Sequence, residues 1–199
     1  MAVKWEETMA SCREASATDR VLVITGPVGA GKSTIAAALS DILAAQDIPH
    51  GMIDVDYVRR CYPAPPNDRF HAALGRRNTA AVAANYRAAG ARVIILADVV
   101  EHQEQRSEYE IAIPNAAVRI VRLRVPMDLI AERLRMRQRG SGESLEWHLK
   151  RAPELEAIMS EREIGDLVID VERRSPQEVS TEIAMRLGLM HEEDAGSDR

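Results

Sequence analysis

The chain has 199 residues, of which 46% are hydrophobic and only 4% aromatic, so it is long enough for one core and must build it from Val, Ile, Leu and Ala. Its net charge of −5 excludes a protein that grips nucleic acid by charge alone. The opening "MAVKWEETMA" lacks the apolar core of a signal peptide, no stretch approaches the length of a membrane span, and Cys12 and Cys61 are too few and too far apart for a disulfide framework or a metal site. The expectation is a reduced, cytoplasmic protein with neither nucleic acid nor membrane as partner.

Residues 1–19 are polar and irregular and read as an N-terminal extension. Val21–Thr25 is a short buried strand, apolar until its last residue. It runs directly into "GPVGAGKST", which matches G-x-x-x-x-G-K-[ST] at Gly26, Gly31, Lys32 and Ser33. The glycines allow backbone conformations in which successive N–H groups turn inward around an anion. The following helix, Lys32–Ala45, aims its N-terminus at the same anion and carries Ile35, Ala38, Leu39 and Ile42 on one face. A glycine-rich turn that merely caps a helix needs neither flank. The loop Gly26, Pro27, Val28, Gly29, Ala30, Gly31, Lys32, Ser33 and Thr34 is therefore assigned to a nucleoside triphosphate, with Lys32 on the β- and γ-phosphates and the Ser33 hydroxyl on Mg²⁺.

A second strand, roughly His50–Val55, ends in "DVD". The Pro-rich "CYPAPPNDRF" cannot be regular helix or central strand. "HAALGRRNTAAVAANYRAAG" reads as a helix stopped by Gly90, and "ARVIILAD" as the third strand. The charged "EHQEQRSEYE" precedes a fourth strand, "AVRIVRLRV". Pro126 opens a helix at a position that tolerates proline, "ESLEWHLKRAPEL" looks like a further amphipathic helix in which Trp147 packs, and "DLVIDV" is the fifth strand. Ser175-Pro176-Gln177-Glu178 is a capping box opening the last helix. Residues 189–199 form an acidic, apolar-poor tail expected to be disordered. Strands separated by helices imply an α/β protein, a parallel sheet of about five strands with helices on both faces. Residues 20–188 are its one domain.

In such sheets ligands bind beyond the carboxyl ends of the strands. Asp54 and Asp56 lie at that edge and suit both tasks a kinase needs: one carboxylate for the acceptor hydroxyl and one for the Mg²⁺ side. A plainer role for one of them is to cap the helix that begins at "YVRR". Asp98 closes an apolar strand in the manner of a Walker B aspartate, on the metal or the substrate side. In "RLRMRQRG", Arg133 and Arg137 share one helix face and Arg135 and Arg139 another. With Gly140-Ser141-Gly142 behind them they suggest a mobile lid over about 133–150 that closes on the phosphates, against the alternative of a solvated helix end. Arg59, Arg76 and Arg77 flank the Pro-rich segment and are candidate acceptor contacts.

"GPVGAGKST", "DVDYVR", "NTAAVAANYRAAGARVIILAD" and the arginine segment resemble the small P-loop kinases of metabolites: adenylylsulfate, shikimate and gluconate kinases and chloramphenicol phosphotransferase. "DVDYVR" is similar to D-G-D-N-V-R of adenylylsulfate kinases, with Val55 for the glycine and Tyr57 for the asparagine, and equally to the D-x-D of shikimate kinases. The resemblance spans about residues 20–188 and implies the P-loop NTPase fold with strand order 2-3-1-4-5, ATP and Mg²⁺, a carboxylate at Asp54 or Asp56 acting on the acceptor, and an arginine lid. The acceptor segments of adenylylsulfate kinases have no counterpart in "CYPAPPNDRF" or "EHQEQRSEYE". The sequence thus predicts transfer of the γ-phosphoryl group of ATP to a hydroxyl of a small metabolite or antibiotic. The alternative is a nucleotide-binding regulator or slow ATPase working through a protein partner. Lys32, Asp56, Arg133 and Arg137 are the catalytic candidates; Ser33, Asp54 and Asp98 those for the metal; Asp54, Asp56, Arg59 and Arg77 those for the acceptor.

Overall fold

A computed structural model describes residues 19–137 and 142–190. The N-terminal extension through residue 18, residues 191–199 of the acidic tail, and Arg139, Gly140 and Ser141 of the arginine-rich segment lie outside the described residues.

The five apolar runs form strands β1 (Asp19–Thr25), β2 (His50–Asp54), β3 (Val93–Ala97), β4 (Ala116–Arg124) and β5 (Leu167–Asp170). All pair in parallel in the order β2-β3-β1-β4-β5, as the resemblance implies. Between them run helices α1 (Lys32–Ala45), α2 (Val55–Val58), α3 (Ala72–Ala88), α4 (Gln105–Ala112), α5 (Met127–Arg137), α6 (Gly142–Glu161) and α7 (Pro176–Arg186). The strand period of two divides the core. Leu22, Ile24, Ile95, Val121 and Leu123 face one side, against Leu39 and Leu43 of α1, Ile130 and Leu134 of α5 and Val179 and Ile183 of α7. Val21, Val23, Ile94, Leu96 and Ile120 face the other, against Ala83 of α3, Tyr109 of α4 and Met159 of α6. Both faces are covered, which explains why β3 is apolar throughout and β1 from Val21 to Ile24.

One buried charge ties the second layer to the sheet. Arg122 of β4 donates to the Met159 carbonyl at 2.8 Å, to Ser160 Oγ at 2.8 Å and to Glu156 at 2.5 Å, which offsets much of the cost of burying its guanidinium.

Two differences from the sequence reading have local causes. The second strand ends at Asp54 rather than Val55, because Asp54, the last residue paired with β3, is also the N-cap of α2, its carboxylate accepting from the Asp56 N–H at 3.0 Å. The charged segment around residue 105 is a helix, α4, with Tyr109 as its one buried side chain. A single buried residue in eight gives no readable period. The capping box at α7 forms as expected: Ser175 Oγ accepts from the Glu178 N–H at 3.2 Å while the Glu178 carboxylate accepts from the Ser175 N–H at 2.8 Å. Ser175→Ala should therefore cost about 1 kcal/mol, seen as a lowered urea midpoint at unchanged slope. An unmoved midpoint would mean that the box contributes nothing to the folded state.

Candidate functional site

Sheet pairing brings three strand ends to one edge. Ile24 of β1 and Asp54 of β2 both register with Ala97 of β3, so the loop after β1, the "DVD" of β2 and Asp98 after β3 open together. β2 stands one strand away from β1, and β3 separates them.

The loop after β1 is shaped by its glycines. Gly29 has φ +84°, and a Cβ there would come within 3.1 Å of Ile130 Cγ2 and Leu134 Cγ; one at Gly26 would lie 3.0 Å from the Leu123 carbonyl oxygen. Only glycine lets the loop lie flat against α5 and the end of β4. Helix α1 then begins without a side-chain cap and without an acidic residue in its first turn, whereas α2 and α7 are both capped. The first N–H groups of α1 have no intrahelical acceptor and, with the helix dipole, form a cradle for an anion. Lys32 leans over this cradle, its Nζ donating to the carbonyls of Gly26 at 3.2 Å and Pro27 at 3.3 Å. Burial lowers the Lys32 pKa, while the carboxylates of Asp56, Asp98 and Asp54 act in the opposite direction. Ser33 and Thr34 are exposed on the first turn of α1.

The carboxylates facing Lys32 differ in role. Asp54 caps α2. Asp56 is open, with 61% of its side chain exposed, and pairs with Arg59. Asp98 is the enclosed one, with 13% exposed. It accepts from the Tyr109 hydroxyl at 2.8 Å, from the Val99 N–H at 2.8 Å and from Arg59 at 3.2 Å. Burial raises the Asp98 pKa, and Asp56 adds to the shift, against the opposing pull of Arg59 and the hydrogen bonds. Burial, and then the Asp98 carboxylate, likewise push the Tyr109 hydroxyl well above its ordinary range. Arg59 thus bridges an open and an enclosed carboxylate in front of the lysine.

Of the arginines singled out in the sequence, Arg133 reaches the loop, donating to the Ala30 carbonyl at 3.2 Å. Arg135 and Arg137 are exposed. Arg59 sits in the cluster. Arg77 is exposed and lines neither cavity described below; the cavity residue is its neighbour Arg76, which pairs with Glu108 at 2.9 Å. Nor does Trp147 pack into the core. It is 50% exposed and lies against Phe70, itself 55% exposed, with ring centroids 6.5 Å apart.

Two cavities open beside the cluster. The inner one, about 60 Å³, is walled by Val55, Arg59, Gly75, Thr79, Asp98 and Tyr109, among others. The outer one, about 540 Å³, is walled by residues including Phe70, Glu101, Trp147, Arg151 and Glu154. Arg76, Gln105 and Glu108 border both. The sequence reading places acceptor specificity in residues 57–78 and 99–110 but singles out none of Tyr109, Thr79, Gln105 and Glu108. The position of Tyr109 eleven residues after Asp98 carries no motif that would have marked it.

A family model described as an AAA domain matches residues 21–159. No curated protein matches the sequence. Among solved structures, the fold is similar to a gluconokinase from Sinorhizobium meliloti 1021, at 19% identity over 92% of this chain and 99% of that one, with TM-score 0.55. It is similar to a Deinococcus radiodurans tunicamycin resistance protein at 19% identity over 86% and 97%, TM-score 0.58. It is also similar to a shikimate kinase from Acinetobacter baumannii at 18% identity over 87% and 96%, TM-score 0.56. With more than half of its length matched, the chain belongs to the AAA domain family, and its architecture is the P-loop fold of the small kinases.

Proposed function

We propose that this protein transfers the γ-phosphoryl group of ATP, with Mg²⁺, to a hydroxyl of a small molecule. The observation that carries the reading is the convergence, at one sheet edge, of an uncapped helix N-terminus, a desolvated lysine and three carboxylates. Residues 26–34 fit a triphosphate: the glycine backbone leaves the cradle open, and the orphan N–H groups of α1 together with Lys32 match anionic oxygens. Ser33 and Asp54 would hold Mg²⁺, with Asp98 behind them. The ion, when bound, supplies positive charge to offset the charge that develops on the phosphoryl oxygens.

The chain's own residues then divide the work. Lys32 exchanges its carbonyl partners for phosphate oxygens. Asp56 is open to solvent and orients the acceptor hydroxyl, taking its proton as transfer proceeds. Arg59, held between Asp56 and Asp98, fixes that carboxylate. Arg133 already lies on the loop and is placed to add positive charge beside it. Arg137, exposed at the C-terminal end of α5, would join only through a movement of that helix end.

Three measurements test this. Lys32→Ala should lower the transfer rate by roughly 10²-fold or more and remove the thermal shift produced by an ATP analogue with Mg²⁺. Because burial lowers the folded-state pKa of Lys32, the unfolded chain binds more protons at this site, and its contribution to stability rises with pH between the folded pKa and the ordinary 10.5. The variant should flatten that rise. Full activity in Lys32→Ala at saturating ATP would refute the assignment of the loop.

Asp56→Asn should lower transfer by about 10²-fold, the low end for acid–base catalysis, since a loose transition state needs little early proton removal. Its ATP affinity should be unchanged. Asp54→Asn keeps the cap, because asparagine caps as well as aspartate, and should instead raise the Mg²⁺ concentration needed for half-maximal rate. Equal Mg²⁺ dependence in the two variants would contradict the division of roles.

Arg133→Ala should cost about tenfold or more in kcat, and Arg137→Ala less, in the same steady-state assay. The reverse order would place the working arginine at the C-terminal end of α5.

A further inference from the structure

The inner cavity contains polar atoms with nothing to bond. Thr79 is 2% exposed, and its Oγ1 has no hydrogen-bond partner among the described residues. Arg59 Nε is likewise buried and without a partner. Both residues line the inner cavity, beside Asp98. Buried polar atoms of this kind are rarely left unsatisfied unless a water or ligand completes them. A volume of about 60 Å³ admits a hydroxyl-bearing arm or a few waters.

The outer cavity has different chemistry. In a chain with 4% aromatic residues, its single phenylalanine and one of its two tryptophans both stand half-exposed at this cavity instead of filling the core. Phe70 is held there by left-handed backbone, with φ 57° and the next residue, His71, at φ 53°, a conformation a bulky side chain adopts only where the surroundings impose it. The rings are tilted by 50° with centroids 6.5 Å apart. That separation is too close for a third ring to be sandwiched between them, so together they form one apolar wall.

The charges at this mouth are matched. Arg76 pairs with Glu108 at 2.9 Å, and Arg151 with Glu101 at 2.7 Å and Glu154 at 3.2 Å. Three glutamates against two arginines and His102 leave the lining with no cationic excess for an anion to use, even with the imidazole protonated. Deeper in, Arg59 is engaged by Asp56 and Asp98.

We infer that the acceptor is an uncharged molecule with a flat apolar group and a hydroxyl arm: the arm enters between Thr79, Arg59 and Asp98, and the flat group lies on Phe70 and Trp147. Carboxylate-bearing hydroxy acids are disfavoured. This rests on the kinase reading above but concerns recognition, which can be tested apart from catalysis.

The test uses three probes that share a glucose-derived set of hydroxyls: phenyl β-glucoside, glucose and gluconate. Binding to the full chain, held with Mg²⁺ and a non-hydrolysable ATP analogue, is followed by saturation-transfer NMR and titration, and transfer from ATP is assayed in parallel. Phenyl glucoside should bind at least tenfold more tightly than gluconate and several-fold more tightly than glucose. Trp147→Ala and Phe70→Ala should each remove about three- to tenfold of the aryl advantage without affecting glucose or the ATP analogue, and Trp147→Phe should restore most of it. Thr79→Val, which keeps the shape and removes the hydroxyl, should weaken phenyl glucoside and glucose alike. Glu108→Gln should improve gluconate binding by releasing Arg76.

Preference for gluconate, an aryl advantage untouched by both aromatic variants, or no binding of any probe at 10 mM would overturn the inference. Transfer to gluconate but not to phenyl glucoside would leave the kinase reading standing and this one refuted. Aryl-dependent binding with no transfer to any probe would do the reverse.

Discussion

An ammonium group removed from water has to be paid for by nearby oxygens, and the arrangement around Lys32 follows from that requirement. Two loop carbonyls accept from it directly, and the carboxylates of Asp56, Asp98 and Asp54 work against the lowering of its pKa by burial. Those carboxylates come from two strands, and parallel pairing in register is what brings the strand ends level. The sheet therefore does more than hold a core. It sets the electrostatic balance of the site, because a slip of one residue in β2 or β3 would turn an aspartate away from the lysine and leave the charge unsupported.

The same balance explains why the acids need further partners. Three carboxylates around one lysine carry an excess of negative charge, and Arg59 offsets part of it by bridging Asp56 and Asp98. Asp98 takes two more hydrogen bonds, from Tyr109 and from the Val99 amide. Gly75 makes this geometry accessible: a Cβ there would stand 3.1 Å from Arg59 Cβ, so α3 can approach α2 closely only without a side chain at that position. A glycine far from the phosphate loop thereby fixes the arginine that organises the acids.

Much of this was legible in the sequence where chemistry demands fixed spacing. The loop from Gly26 to Thr34 needs glycine, lysine and serine at set offsets, and the pair Asp54 and Asp56 is marked by its place at a strand end. The Ser175–Glu178 cap is written in four residues. What escaped depends on contacts distant in the chain. Thr79 reads as any helical threonine until its surroundings are known, and α4 buries only Tyr109. Trp147 was expected to pack because large aromatics usually do, yet its helix turns it toward Phe70 at the mouth of a cavity. Arg76 and Arg77, both singled out in the sequence, show how a helix divides neighbours: adjacent residues point roughly 100° apart, and of the two Arg76 borders the cavities.

The missing side chain at Gly29 has a mechanical consequence. With Ile130 and Leu134 of α5 only 3.1 Å from where its Cβ would be, closer than a side chain ordinarily sits, the crown of the loop packs directly on these turns of α5, and the Arg133 bond to Ala30 fastens the same seam. Any displacement of these turns of α5 is therefore passed on to the crown that shares their packing. Tightening the crown also tightens those turns of α5, and by thermodynamic reciprocity whatever steadies the turns steadies the crown.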